Sequence, residues 1–222
     1  MIVVTMTSWK ARIGNVVPVL SHFLEHQSVL PDEVVINLSE EEFAGVALPD
    51  ELTKFLLENP IVHINWVPGP NTRQWKKIIP TLLSHPNDVV VCLDDDMVYK
   101  YNLIEVLLKT HEMHPDHPVT GNRGYKVHGL LQHCGCCSLD MLRYYPGLEK
   151  IDITEFSHMA SSDTFLTLLA HEGGNDPVPA CEKITWTPYN PVQPLSYSEG
   201  TSKPQKHEEM YTFMQSKGII SS

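Results

Sequence analysis

Three consecutive aspartates, Asp94, Asp95 and Asp96, close the apolar run of "VVVCLDDDMVYK". Carboxylates this close repel one another unless a positive charge is shared among them. Hard divalent ions such as Mg2+ and Mn2+ suit the place. They take carboxylate oxygens, commonly one or two from the protein, with others from a substrate diphosphate. If the strand continues through the aspartates, Asp94 and Asp96 lie on one face and Asp95 on the other, so a D-x-D pair can serve one ion. The competing reading is a solvated strand end whose acids make turns. Three in a row after the most apolar strand favour the metal.

Two other segments hold chemistry-bearing residues. Asp163 precedes "TFLTLL", where an acid complements the positive end of a helix. "HCGCC" supplies His133, Cys134, Cys136 and Cys137, which with His128 and Cys181 are zinc donors by type. The paired C-x-x-C spacing is missing, however, and Cys134 and Cys136 fit strand alternation, so these cysteines read as core thiols. The twelve histidines are dispersed and define no cluster.

The elements that must position these residues alternate between apolar runs and amphipathic stretches, the pattern of an α/β domain. "MIVVTM", "EVVINL", "VHINWV" and "DVVVCL" predict four strands. Between them, helical spacing joins Val16, Leu20, Phe23 and Leu24 after a capping Asn15, then Leu52, Phe55 and Leu56, then Ile78, Ile79, Leu82 and Leu83. Asn102 and Glu105 form a cap-like pair for a helix with Leu103, Ile104, Leu107 and Leu108 inward. The second half reads as mixed strands and loops around the same sheet. In such sheets ligands gather beyond the carboxyl ends of the strands, where the three aspartates fall.

At 222 residues the chain suits one domain. A net charge of −11 repels a phosphate backbone, which argues against nucleic acid as partner. No apolar stretch reaches the roughly 20 residues of a membrane span, although peripheral membrane contact stays open. No basic leader opens the sequence, and five cysteines make an odd set, so the expectation is a reduced, cytoplasmic protein.

"VVVCLDDDMVY" resembles the D-x-D segment of nucleotide-sugar-dependent glycosyltransferases of the GT-A fold. "VVTMTSWKARI", a helix ending in "HQS", "LPDEVVINLS" and "SSDTFL" follow the order of that family's segments, covering the chain through about Glu172. The resemblance implies a single GT-A domain over residues 1–222. Its Rossmann-like, mostly parallel sheet is flanked by helices, with a nucleotide-binding half (1–100) and an acceptor half and tail (101–222). It also implies a nucleotide-sugar donor, Mn2+ or Mg2+ at Asp94 and Asp96, and a carbohydrate or glycolipid acceptor, as in surface polysaccharide synthesis.

By the same resemblance Thr7, Ser8, Trp9 and Arg12 lie against the donor together with Asp94 and Asp95, and Lys76 from "NTRQWKK" meets the phosphates. Asp163 becomes the general base, Gly135 lines the acceptor side, and His207 is a further candidate metal ligand. Asn37, Leu38 and Ser39 stand where the family often brings an aspartate to the base. Burial in the core is the competing reading for Trp9 and Trp75. Two other functions remain: a metal-dependent nucleotidyltransferase, against which "TSWKARIG" offers only one glycine in its first loop, and a non-catalytic carbohydrate-binding protein.

Overall fold

The computed structural model describes residues 1–121, 124–156, 159, 162–189 and 203–221. Its strands are β1 (Ile2–Thr7), β2 (Glu33–Ser39), β3 (Val62–Val67), β4 (Val89–Leu93), β5 (Met97–Tyr99), β6 (Val119–Thr120), β7 (Lys126–Val127), β8 (Leu130–Leu131), β9 (Cys137–Asp140), β10 (Val178–Pro179) and β11 (Trp186–Pro188). The helices are α1 (Val16–His26), α2 (Glu40–Phe43), α3 (Asp50–Glu58), α4 (Ile79–Ser84), α5 (Leu103–Met113), α6 (Ser162–Glu172) and α7 (Lys203–Ser216).

Seven strands form one sheet in the order β10-β6-β9-β4-β1-β2-β3. The four predicted strands pair in parallel: β1 with both β2 and β4, and β2 with β3. β9 enters between β4 and β6 and runs antiparallel to both, which makes the sheet mixed on its second-half side. Alternation along the strands splits the core in two. Val4, Met6, Val91 and Leu93 face α1, α3 and α5, whereas Val90 and Cys92 face the layer of α4, α6 and α7. The α/β, GT-A-like architecture expected from the sequence is the one observed. No described helix is long and apolar enough to cross a membrane.

The strand order decides where a ligand can sit. The chain moves outward from β1 to β2 and β3, then returns to place β4 on the other side of β1, so the loops after β1 and β4 diverge across a crevice. Beneath it lies a buried polar seam. The Thr5 hydroxyl donates to the Lys77 carbonyl at 2.6 Å, and the Asn37 amide donates to Thr5 Oγ1 at 3.0 Å and Thr81 Oγ1 at 2.9 Å. These bonds fasten the 3-10 turn Arg73–Lys77 over the ends of β1 and β2.

Two capping expectations are corrected. Neither Asn15 nor Asn102 makes a side-chain cap bond to its helix; α1 instead continues directly from a 3-10 turn, Ile13–Asn15. Glu105 accepts the Ser28 hydroxyl at 2.7 Å rather than reaching back to Asn102.

Candidate active site

β4 stops at Leu93, so the aspartates occupy the turn into β5 rather than a continuing strand. The inward and outward alternation nevertheless survives. Asp95 is buried, while Asp94 and Asp96 are part-exposed. Asp95 accepts the Ser8 hydroxyl at 2.6 Å and pairs with Arg12 Nη2 at 2.6 Å. Arg12 Nη1 donates to Asp96 Oδ2 at 2.6 Å, so one guanidinium bridges two neighbouring carboxylates. Arg12 reaches them because the Trp9 carbonyl accepts the backbone N–H groups of Arg12 and Ile13, both at 2.8 Å, turning the chain back after β1. Asp94 Oδ1 takes the Lys77 ammonium at 2.6 Å.

Two cations thus face three acids. Burial raises the Asp95 carboxyl to about 6 even against Arg12 and Ser8, and burial likewise raises Asp94 against the pull of Lys77. Burial opposes the charge of Lys77, but Asp94, Cys92 and Asp163 hold its ammonium well above its ordinary range. The outward pair each engage a cation through one oxygen, Oδ1 of Asp94 and Oδ2 of Asp96, and each has a second. An all-oxygen donor set on a cluster with surplus negative charge fits Mg2+ or Mn2+.

Asp163 joins this cluster from the first turn of α6. Its Oδ1 accepts the Gly135 N–H at 3.2 Å. A Cβ at Gly135 would lie 2.9 Å from Asp163 Oδ1 and 3.0 Å from Lys77 Nζ, so only glycine lets both side-chain ends close over that backbone. Lys77 therefore stands between Asp94 and the Gly135 turn that hydrogen-bonds Asp163. The Asp163 side chain is 40% exposed.

Behind Asp163 is a residue that the sequence did not single out for this role. His133 is fully buried, with Nε2 at 3.0 and 3.1 Å from the two oxygens of Asp140 and Nδ1 at 3.6 Å from Asp163 Oδ1. Asp140 also accepts the hydroxyls of Ser138 and Tyr145. Burial alone would lower the imidazole, yet Asp140 and Asp163 raise it to about 10. The imidazole faces Asp163 from behind at 3.6 Å, and the Gly135 N–H holds it from the side. No motif marks His133; its partner Asp140 lies seven positions away, across the turn into β9.

The other expected residues fall variously. Thr7 is buried, its hydroxyl donating to the Asn37 carbonyl at 2.7 Å, and Ser8 is spent on Asp95. Trp9 is half-buried, and its indole N–H has no acceptor among the described residues. Trp75 is a core residue that donates to the Met159 carbonyl and packs on Phe156 and Phe165. Asn37, Leu38 and Ser39 are all buried, so the end of β2 presents none of them to a ligand.

Lys76 needs correcting. It is fully buried, with its ammonium 3.0 Å from both Asn71 Oδ1 and the Arg73 carbonyl, and it is Lys77 that pairs with an aspartate. Both ring nitrogens of His207 are engaged, Nε2 with the Tyr125 hydroxyl and Nδ1 with Thr164. Metal ligation by His207 would require one of these contacts to break. Ser161 of "SSDTFL" lies outside the described residues.

The alternation read into "HCGCC" also fails. Residues 134–136 form a tight turn, with the Cys137 N–H donating to the Cys134 carbonyl at 3.0 Å, and β9 starts only at Cys137. The sulfurs of Cys134, Cys136 and Cys137 converge, all within 4.8 Å of one another.

No protein-family profile and no curated sequence matches this chain. Solved structures do. The mannosyltransferase PcManGT from Pyrobaculum calidifontis, in complex with GDP-Man and Mn2+, superposes with a TM-score of 0.56 at 12% identity, over 82% of this chain and 55% of that one. TarS residues 1–349 from S. aureus, in complex with UDP, superposes with a TM-score of 0.55 at 10% identity, over 94% of this chain and 62% of that one. This chain spans less than two thirds of either neighbour. At such identities the likeness establishes the fold, which is that of glycosyltransferases.

Proposed function

We propose that the chain is a glycosyltransferase that moves a sugar from a UDP- or GDP-sugar to an acceptor hydroxyl with the help of Mn2+ or Mg2+. One observation carries this reading. Arg12 from the loop after β1, Asp94, Asp95 and Asp96 from the end of β4, Lys77 from the 3-10 turn and Asp163 from α6 converge on the crevice where the strand order reverses. Two neighbours of the same fold were solved with GDP-Man or UDP, one of them with Mn2+.

Asp94 and Asp96 would hold the cation, which when bound offsets charge on the departing diphosphate. Arg12 orients Asp95 and Asp96 from below. Lys77 takes the phosphate role expected of Lys76, since its ammonium is the one at the aspartate edge, and Trp9 offers a half-buried indole to the nucleoside. Asp163 receives the proton of the attacking hydroxyl, held in place by Gly135 with the His133 imidazole behind it. In this scheme residues 1–100 carry most donor contacts and residues 101–222 the acceptor side. The acceptor is a carbohydrate or glycolipid of the kind used in surface polysaccharides.

The test is a panel of UDP- and GDP-sugars incubated with the protein and Mn2+. Release of free sugar and nucleoside diphosphate supports the proposal. Release of sugar 1-phosphate would mean nucleotidyl transfer, and binding without turnover would mean a non-catalytic protein.

A further inference from the structure

We infer that Cys134, Cys136 and Cys137 form a three-thiolate site for a soft d10 metal ion of the zinc class, separate from the carboxylates that suit Mg2+ or Mn2+. Cys136 Sγ lies 3.0 Å from Cys134 Sγ and 3.6 Å from Cys137 Sγ, and no pair of the three exceeds 4.8 Å. Sulfurs sharing one zinc ion at about 2.3 Å each sit roughly 3.8 Å apart in a tetrahedral arrangement. Two of the observed spacings lie below that value and the third within 4.8 Å, so a small opening of the triangle would admit an ion. Among the described residues this is the one such group of His, Cys, Asp or Glu ligands.

The turn that carries the sulfurs is held at successive positions. The Gly135 N–H donates to Asp163, the Cys136 carbonyl accepts the Tyr99 hydroxyl, and the Cys137 carbonyl accepts the Gly121 N–H at 2.8 Å. A ligand set whose backbone is fixed before binding loses little freedom when the ion arrives. Charge favours it as well. The Lys77 ammonium lies against Gly135 within the turn. Positive charge beside cysteines favours the thiolate, the form that binds metal. Cys134 and Cys136 are part-exposed, which gives an ion a way in, whereas Cys137 is buried. Three protein ligands leave a fourth position for solvent or an added ligand, as in zinc sites that are not closed.

None of the three cysteines is a donor-binding residue, and the site stands whether or not the chain transfers sugar. A competing fate for thiols 3.0 Å apart is a Cys134–Cys136 disulfide, and the experiment separates the two. The reduced full chain, freed of reductant without oxygen, is titrated with Cd2+ while Mn2+ is held in excess, and thiolate-to-cadmium ultraviolet absorption is recorded. The band should saturate at one equivalent, be displaced by Zn2+, and persist in Asp96→Asn. It should weaken at least about 100-fold in affinity in Cys134→Ser/Cys136→Ser, chosen because these side chains are part-exposed and Cys137 is not.

In the wild type, Zn2+ should protect the part-exposed Cys134 and Cys136 from alkylation as read by mass spectrometry, a result that stands if the variant fails to fold. Absence of the band with all thiols reduced, a band unchanged in the folded variant, or alkylation undiminished by Zn2+ would overturn the site. So would a Cys134–Cys136 disulfide that forms in the presence of equimolar Zn2+.

Discussion

Replacing Lys76 by methionine separates a buried structural lysine from a phosphate contact. The side chain is fully buried; its ammonium donates to Asn71 and the Arg73 carbonyl, and Glu42 lies 3.9 Å away. Burial lowers it from its ordinary 10.5 to about 8, with Glu42 opposing the fall. At about 1.4 kcal/mol per tenfold change, keeping it charged in the fold costs about 3 kcal/mol. The unfolded chain holds this proton up to about pH 10.5 and the folded chain only to about 8, so the penalty is complete below pH 8 and is relieved as pH rises. Methionine removes the penalty and the two hydrogen bonds together, and lost bonds to a charged donor cost about 1.5–3 kcal/mol each. At pH 7 these effects largely offset. At pH 10 the wild type has shed most of its penalty, so Lys76→Met should be about 3 kcal/mol more destabilising there than at pH 7. Urea denaturation of both proteins at the two pH values measures the difference. An equal effect at both would refute the burial argument. A tenfold loss of GDP or UDP affinity at pH 7 would return Lys76 to the phosphates.

Other perturbations address the remaining parts of the site. His133→Asn should destabilise the protein by about 3 kcal/mol or more at pH 7, as expected when one partner of a buried ion pair is removed. Because Asp140 and Asp163 raise the imidazole to about 10, its contribution is complete below about pH 6.5 and fades as pH approaches 10; denaturation curves across that range should show the variant's deficit shrinking. Gly135→Ala pushes on the far ends of Asp163 and Lys77, which can swing away, so the thermal transition should move little while sugar transfer falls at least about tenfold. Asp163→Asn should lower transfer by about a hundredfold or more with nucleotide affinity nearly unchanged, as steady-state rates and nucleotide titrations will show.

Much of the fold was legible because its signals are local. The apolar runs of β1, β2, β3 and β4 and the stripes of α1, α3 and α5 each announce their own element, and the aspartates announce the edge at which β4 ends. What escaped depends on docking between segments distant in the chain. Lys76 and Lys77 are adjacent in a 3-10 turn, where neighbours point about 120° apart, and which one meets Asp94 is settled by the Thr5 and Asn37 bonds that fasten the turn. Period-two reasoning misplaced the cysteines because residues 134–136 turn instead of extending. The His133–Asp140 pair arises because the chain reverses into β9 before inserting antiparallel beside β4, a placement that no residue pattern encodes.

The central claim is that Asp94 and Asp96 hold a divalent cation against a nucleoside diphosphate. Calorimetric titration of GDP and UDP into the wild type and Asp96→Ala, each with and without Mn2+, tests it most directly. The account predicts that at least one nucleotide binds the wild type tenfold or more tightly with Mn2+, and that Asp96→Ala abolishes this increment while remaining folded. A Mn2+ increment that survives undiminished in Asp96→Ala, or nucleotide binding to the wild type that ignores Mn2+ altogether, would contradict it.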